Sequence, residues 1–173
     1  MLHPAASAKS APLVLRGALG VAARNRGPVE TLGMGGDLDT PYRGGFVGKT
    51  HHFALRVYFE DTDTAGIVYY ANYLRFMERA RSDMLRAVGI DQRTVMEQGE
   101  GVYAVAEVSI KYRGSAKLDD ELVVLSEVRE VRAAAGLIHQ RVMRGDEILT
   151  DARVTAAFIS PEGRPKRQPR MTR

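Results

Sequence analysis

The sequence predicts an α+β domain in which one long helix lies across an antiparallel sheet, and three observations carry that expectation. Phe53, Leu55, Val57 and Phe59 alternate with Ala54, Arg56 and Tyr58, the period of a half-buried strand. Tyr69, Tyr73, Met77, Ala80, Met84 and Val88 recur at steps of three or four, one apolar stripe of a helix. Strand-like runs then follow one another between residues 102 and 159. Propensity alone rarely holds a helix in water, so the stripe must be buried against the sheet.

Taken in order, the first strand begins near His51, with His51 and His52 read as exposed residues ahead of it. The helix keeps Arg75, Glu78, Arg79, Ser82, Asp83 and Arg86 on its remaining faces and stops at Gly89, a residue suited to the C′ position. Residues 90–101 are looser, with a short helical turn around Arg93 to Gln98. From Val102 to Tyr112 apolar residues occupy both faces. Glu121 to Val131, Leu137 to Arg144 and Ile148 to Ile159 complete a set of five strands. Arg144-Gly145-Asp146-Glu147 reads as a hairpin whose glycine supplies a positive φ. Short links predict antiparallel pairing of neighbours. A single helix covers a single face, and the apolar residues on both sides of 102–112 predict that the sheet meets a second copy in a homo-oligomer.

Three segments emerge from composition. Residues 1–50 are rich in Ala, Gly, Pro and Arg and lack a sustained period, which predicts a largely disordered extension. The stretch Ala11 to Arg26 overlaps in composition with transit peptides, whereas Arg16 interrupts the apolar run that a secretory signal needs. Residues 51–160 form the domain, and 161–173 a basic tail read as unstructured. The net charge of +4 divides unevenly: +3 over residues 1–50, −3 over 51–160 and +4 over 161–173. A mildly acidic body argues against a nucleic-acid-binding face. Cysteine is absent, which excludes disulfides, a thiol nucleophile and thiolate metal sites and fits a reducing, cytoplasmic setting. No apolar run reaches the roughly 20 residues of a membrane span.

The chemistry concentrates in Tyr58-Phe-Glu-Asp-Thr-Asp63-Thr-Ala-Gly66-Ile-Val-Tyr69-Tyr70-Ala-Asn72-Tyr73, where an acidic turn precedes the helix. A carboxylate there can attack a carbonyl or activate water, while free N–H groups at the helix start hold a developing oxyanion. Asp63 is the candidate carboxylate, as nucleophile or as general base. Gly66 permits a sharp turn and a close approach of substrate to the backbone. Asn72 suits a cap or an orienting role, and Tyr69, Tyr70 and Tyr73 are candidates for lining an acyl pocket, although the stripe position of Tyr69 and Tyr73 favours core packing. Glu78 pairs naturally with Arg81 at i, i+3. The start of a calcium loop is mimicked by Asp61-Thr-Asp63, but Ala65 and Asn72 stand where ligands are required. The four histidines have no ligand spacing, no Gly-x-Ser-x-Gly elbow occurs, and no phosphate-cradling glycine loop is present, so no metal or cofactor is expected.

The same stretch, followed by Phe76-Met-Glu-Arg-Ala-Arg81, resembles the hotdog-fold acyl-CoA thioesterases. The similarity extends to about Ser160 and lies with the 4-hydroxybenzoyl-CoA thioesterase-like group that includes the Tol-Pal system-associated acyl-CoA thioesterase. The resemblance implies a long central helix wrapped by a five-stranded antiparallel sheet, sheets joined edge to edge in a homodimer or homotetramer, and active sites at the subunit interface. It implies hydrolysis of an acyl-CoA thioester; an acyl carrier protein is a further candidate partner. Asp63 falls at the catalytic carboxylate and Tyr70 where a backbone N–H polarises the thioester carbonyl. Many members of the Tol-Pal branch carry His where this chain has Tyr70. Arg132 falls among the basic contacts to CoA phosphates. The alternative is a hotdog protein that binds acyl-CoA or acyl carrier protein without turnover.

Overall fold

The computed structural model describes residues 43–169; the expectation for residues 1–42 lies outside the described residues. Six strands, β1 (Gly45–Val47), β2 (Thr50–Arg56), β3 (Val102–Tyr112), β4 (Glu121–Val131), β5 (Ala135–Arg144) and β6 (Glu147–Ile159), form one sheet. Helix α1 spans Asn72–Ala87 and a short helix, α2, spans Gln92–Glu97. The strand order is β1-β2-β4-β5-β6-β3 and every pairing is antiparallel. This is the helix-on-sheet α+β arrangement that the sequence predicts, with one strand more: β1, three residues long, folds back on β2.

Connectivity departs from the simple expectation at one place. β3 does not pair with β4, its successor in the chain; it runs along the outer side of β6. The connection 113–120 therefore crosses the end of the sheet, and on its way it is pinned at several points. Val57 donates to the Asp120 carbonyl at 3.0 Å, Val68 to the Ala116 carbonyl at 2.8 Å, and the Ala116 N–H donates to the Tyr73 hydroxyl at 2.9 Å.

The core lies between α1 and the inner face of the sheet. Tyr73, Phe76, Met77 and Ala80 from the helix meet Leu122 and Val124 of β4, Val142 of β5 and Ala152 of β6. The helix ends as Gly89 permits: at φ +82° its N–H bonds the Arg86 carbonyl, while the Ile90 N–H reaches back to Leu85 at 2.9 Å. That paired closure is a Schellman motif.

Some polar assignments are corrected by the packing. His51, expected outside the first strand, lies inside β2 and is wholly buried. Its Nε2 lies 3.0 Å from Oδ2 of Asp83, and the same oxygen accepts the Gly44 N–H at 2.8 Å. Asp83, expected on a polar face of the helix, is therefore buried as the tie that holds the β1–β2 hairpin. Arg81 is buried too, because its guanidinium donates to Gln140 on β5 at 2.7 Å and to Glu78 at 2.6 Å. Phe59 does not continue the first strand: β2 stops at Arg56, and Phe59–Asp61 form a single 3-10 turn that leaves Phe59 exposed. The tail expected to be unstructured returns along the sheet through residue 169. A turn closes between Ser160 and Arg164, Lys166 donates to the Phe158 carbonyl, and Gln168 bonds the carbonyls of Arg132, Ala133 and Ala135.

Candidate functional site

The acidic turn is a small closed loop at the foot of α1. Thr62 bridges Val68 in antiparallel fashion, the Asp63 N–H donates to Ile67 at 2.9 Å, and the Gly66 N–H donates back to the Asp63 carbonyl at 3.0 Å. Gly66 sits at φ +75°, in the left-handed region where a Cβ is strained, and space around it is open. The turn thus demands glycine for its backbone, as the sequence predicts.

The two aspartates of the loop have separate tasks. Asp61 is buried; its Oδ2 accepts the Tyr58 N–H at 2.9 Å, and its carbonyl accepts both the Tyr69 N–H at 3.0 Å and the Asn72 side-chain amide at 2.9 Å. It is the hub that fastens the loop to the helix. Asp63 is half-buried, with Oδ1 held by the Ala65 N–H at 2.8 Å. Among the described residues it forms no ion pair, and Oδ2 takes no hydrogen bond. One oxygen oriented and one free is the arrangement a carboxylate needs to act on a bound group.

The start of α1 leaves backbone donors open. The Tyr69 N–H is spent on Asp61 and the Asn72 N–H on the Tyr69 carbonyl, whereas the N–H groups of Tyr70 and Ala71 find no acceptor among the described residues. The helix has no side-chain N-cap. Unpaired N–H groups at a helix start carry partial positive charge and receive an anion or a polarised carbonyl oxygen.

The tyrosines of the motif divide sharply. Tyr73 is 2% exposed and belongs to the core, its ring edge-on to Phe76 at 6.0 Å, and burial raises its hydroxyl above the usual phenol range. Asn72 is also buried, and its amide is committed to Asp61. Neither side chain is open to a ligand, so both hold the loop from within. Tyr69 and Tyr70 are exposed, with rings 4.7 Å apart. Tyr112, at the end of β3, joins them: its hydroxyl donates to the Tyr70 carbonyl at 3.1 Å, and its ring lies edge-on to Tyr70 and Tyr73. Nothing in the residue pattern singled Tyr112 out, because its partner lies 42 positions away.

Arg132 is not part of this cluster within one chain. It stands beyond the far end of β4, in a close pair with Glu130 at 2.8 Å. The near end of β4 is the one fastened beside the Asp63 loop, so the eleven-residue strand separates the two by roughly 35 Å. Arg132 instead lines a cavity of about 1130 Å³ between the C-terminal half of α1 and the sheet. Its walls include Met84, Leu85, Val105, Val131 and Ile138, with Glu78 and Arg81 as a paired polar element and Lys49 and Arg167 as further cations. Among the described residues no group of His, Asp or Glu side chains gathers to hold a metal ion.

The chain has relatives among known proteins. The model of the Thioesterase-like superfamily matches residues 57–172. The acyl-CoA thioesterase YbgC of Haemophilus influenzae is 45% identical over 107 residues, covering 62% of this chain and 79% of the relative. The acyl-CoA thioester hydrolase YbgC of Escherichia coli strain CFT073 is 34% identical over 108 residues, 62% of this chain and 80% of its own. Among solved structures, a probable thioesterase from Bartonella henselae superposes with a TM-score of 0.67 at 34% identity, over 69% of this chain and 99% of that one. A 4-hydroxybenzoyl CoA thioesterase variant complexed with 4-hydroxybenzoyl CoA shares the fold at a TM-score of 0.60 and 23% identity.

Proposed function

The chain belongs to the Thioesterase-like superfamily and is a thioester hydrolase; we propose that its substrate is an acyl-CoA, that Asp63 carries the chemistry, and that the site is completed by a second copy of the chain. The observation that carries this reading is the half-buried Asp63, with one oxygen held and one free, on the loop that runs directly into a helix start whose Tyr70 and Ala71 N–H groups lack acceptors among the described residues.

In this mechanism the thioester carbonyl oxygen lies at the Tyr70 N–H, which stabilises the negative charge that grows there as the tetrahedral intermediate forms. Asp63 follows one of two balanced routes. As nucleophile its free oxygen bonds to the carbonyl carbon, the C–S bond breaks, CoA leaves as a thiol after protonation, and water then cleaves the mixed anhydride. As general base it takes a proton from water, whose oxygen bonds to the carbon; the C–S bond then breaks, and the proton on Asp63 passes to the departing CoA sulfur, which leaves as a thiol. Single-turnover hydrolysis in heavy-oxygen water separates them: label in the Asp63 carboxylate marks the nucleophilic route.

The need for a second copy follows from the separation of the Asp63 loop and Arg132. β3 is eleven residues long, lies at the edge of the sheet and presents Val102, Val105, Val108 and Tyr112 to solvent. A long edge with exposed apolar side chains is unsatisfied in a monomer. Antiparallel pairing of two β3 edges about their middle sets Tyr112 of one copy opposite Val102 of the other. The Asp63 loop of one chain then faces the cavity of its partner. The acyl-CoA lies along that helix–sheet groove, with its phosphates toward Lys49, Arg132 and Arg167. No helix among the described residues is long and apolar enough to cross a membrane.

The deciding experiment is thiol release from short, long and aromatic acyl-CoAs by wild type and Asp63→Asn. A loss of at least about a hundredfold is expected, the scale of a missing base or nucleophile. Equal activity in the variant removes Asp63 from the mechanism; CoA binding without turnover of any substrate favours a binding protein.

A further inference from the structure

We propose that Tyr112 is a positioning residue for hydrolysis, which fixes and polarises the Tyr70–Ala71 peptide at the start of α1; this rests on the acyl-CoA reading above. Tyr70 lies outside the helix, is 59% exposed, and its own N–H has no acceptor among the described residues. The neighbouring residues are fastened, Tyr69 to Asp61 and Asn72 to both Asp61 and Tyr69. Among the described residues the Tyr70–Ala71 peptide between them has one side-chain partner, the Tyr112 hydroxyl, which donates to its carbonyl at 3.1 Å.

Tyr112 is itself well located for this task. Its ring packs edge-on against Tyr73 at 5.9 Å, and Tyr73 is immobilised in the core by Phe76 and by the Ala116 N–H on its hydroxyl. On the other side the ring meets Tyr70 edge-on at 6.1 Å and 88°. The phenol is thus a post that links the core to the Tyr70–Ala71 peptide. A hydrogen bond accepted by a carbonyl draws electron density along its peptide and makes the N–H of that same peptide a stronger donor. Here that N–H is Ala71's, the second unpaired donor beside Tyr70's. Tyr112 also ends the edge strand β3, so anything that pairs with this edge bears on the same peptide.

Tyr112→Phe removes the hydroxyl and keeps both ring contacts. The expected result is a fall in kcat of about tenfold, smaller than the loss on deleting an oxyanion donor outright, with KM changed less than about twofold and the melting temperature unchanged. Tyr112→Leu, which also removes the ring, lowers thermal stability and kcat together and separates packing from positioning. A wild-type kcat in Tyr112→Phe, or a raised KM at constant kcat, overturns the proposal. A second measurement does not depend on turnover: the amide nitrogen and proton resonances of Tyr70 and Ala71 shift in Tyr112→Phe while those of α2 stay in place. Unmoved Tyr70 and Ala71 resonances overturn it as well. Failure of the underlying reading is distinguishable, because Asp63→Asn then hydrolyses thioesters as wild type does whatever Tyr112→Phe shows.

Discussion

Asn72 donates its side-chain amide to the main-chain carbonyl of Asp61 at 2.9 Å, so the first residue of α1 holds the loop on which Asp63 is carried. The bond is buried, and the Tyr69 N–H shares the same acceptor. Together with the Tyr69 N–H it ties the turn to the helix start.

Asn72→Ala is therefore expected to act on catalysis more than on fold. The lost bond costs about 1 kcal/mol of stability, since the Asp61 carbonyl keeps its second donor. The loop gains freedom to leave the reactive geometry, and kcat falls by at least about tenfold, because small misplacements of reacting groups carry large rate penalties. Urea unfolding and steady-state kinetics on one preparation check both parts; an unchanged kcat places the function of Asn72 in folding alone.

The edge of β3 gives a second prediction. Val108 lies on the inner face of that strand and is exposed in the single chain. Val108→Lys puts a charge where an antiparallel second copy would cover it, a device that blocks edge pairing. Sedimentation should show a monomer for the variant and a dimer or larger for wild type, with activity lost in the monomer. Mixing Asp63→Asn with a variant blocked in the cavity should restore partial activity through mixed dimers, since each then supplies the half the other lacks.

The predicted and observed molecules differ mainly where polar residues are buried. Periodicity located α1 and the long strands because an apolar stripe and a two-residue alternation are local signals, and Gly145 at φ +57° closes the β5–β6 hairpin at the predicted residues. The turn at Gly66, observed at φ +75°, was legible because a motif of adjacent residues carries it. His51 and Asp83 were misplaced because they are each other's partners across 32 positions, and a polar residue with a distant partner has the same local pattern as a solvated one. Tyr112 and the placement of β3 beside β6 were illegible for the same reason. Phe59 fits the strand alternation, but Asp61 captures the Tyr58 N–H and turns the chain before the pattern can be used.

The His51–Asp83 tie predicts a pH dependence of stability. Burial holds His51 below the usual imidazole range, against the raising pull of Asp83 and its hydrogen bond, with His52 adding to the lowering. Neutral His51 donates from Nε2 to Asp83, and its Nδ1 has no partner; Arg86 stands 3.5 Å from the other oxygen of Asp83. The unfolded chain takes up a proton on this histidine near pH 6.5 and the folded chain does so only at lower pH. Stability is thus fully present above about pH 6.5 and falls as pH drops toward the folded value, by at most about 1.4 kcal/mol per pH unit for one proton. His51→Gln should lose this component of the slope. Parallel urea titrations between pH 7.5 and 5.5 with identical slopes in both proteins would show that His51 is not the source.

A last prediction concerns the buried polar network under α1. Gln140 is fully buried on the inner face of β5; its amide donates to the Met77 carbonyl at 3.0 Å and to the Ser126 hydroxyl at 2.9 Å, while its oxygen accepts from Arg81 at 2.7 Å. A fully satisfied network of this kind fixes how helix and sheet meet, whereas a half-satisfied one is costly. Gln140→Leu keeps the volume and strands the Arg81 guanidinium with Glu78 as its remaining partner, so the expected loss is about 3 kcal/mol. Arg81 also lines the cavity, and a guanidinium freed from Gln140 turns toward that space. The variant should therefore show a raised KM for acyl-CoA at temperatures where it remains folded. The double variant Gln140→Leu with Arg81→Met removes the stranded charge and should recover part of the lost stability in urea. If the double variant is less stable than Gln140→Leu by the full cost of a second independent substitution, the two residues do not act as one network.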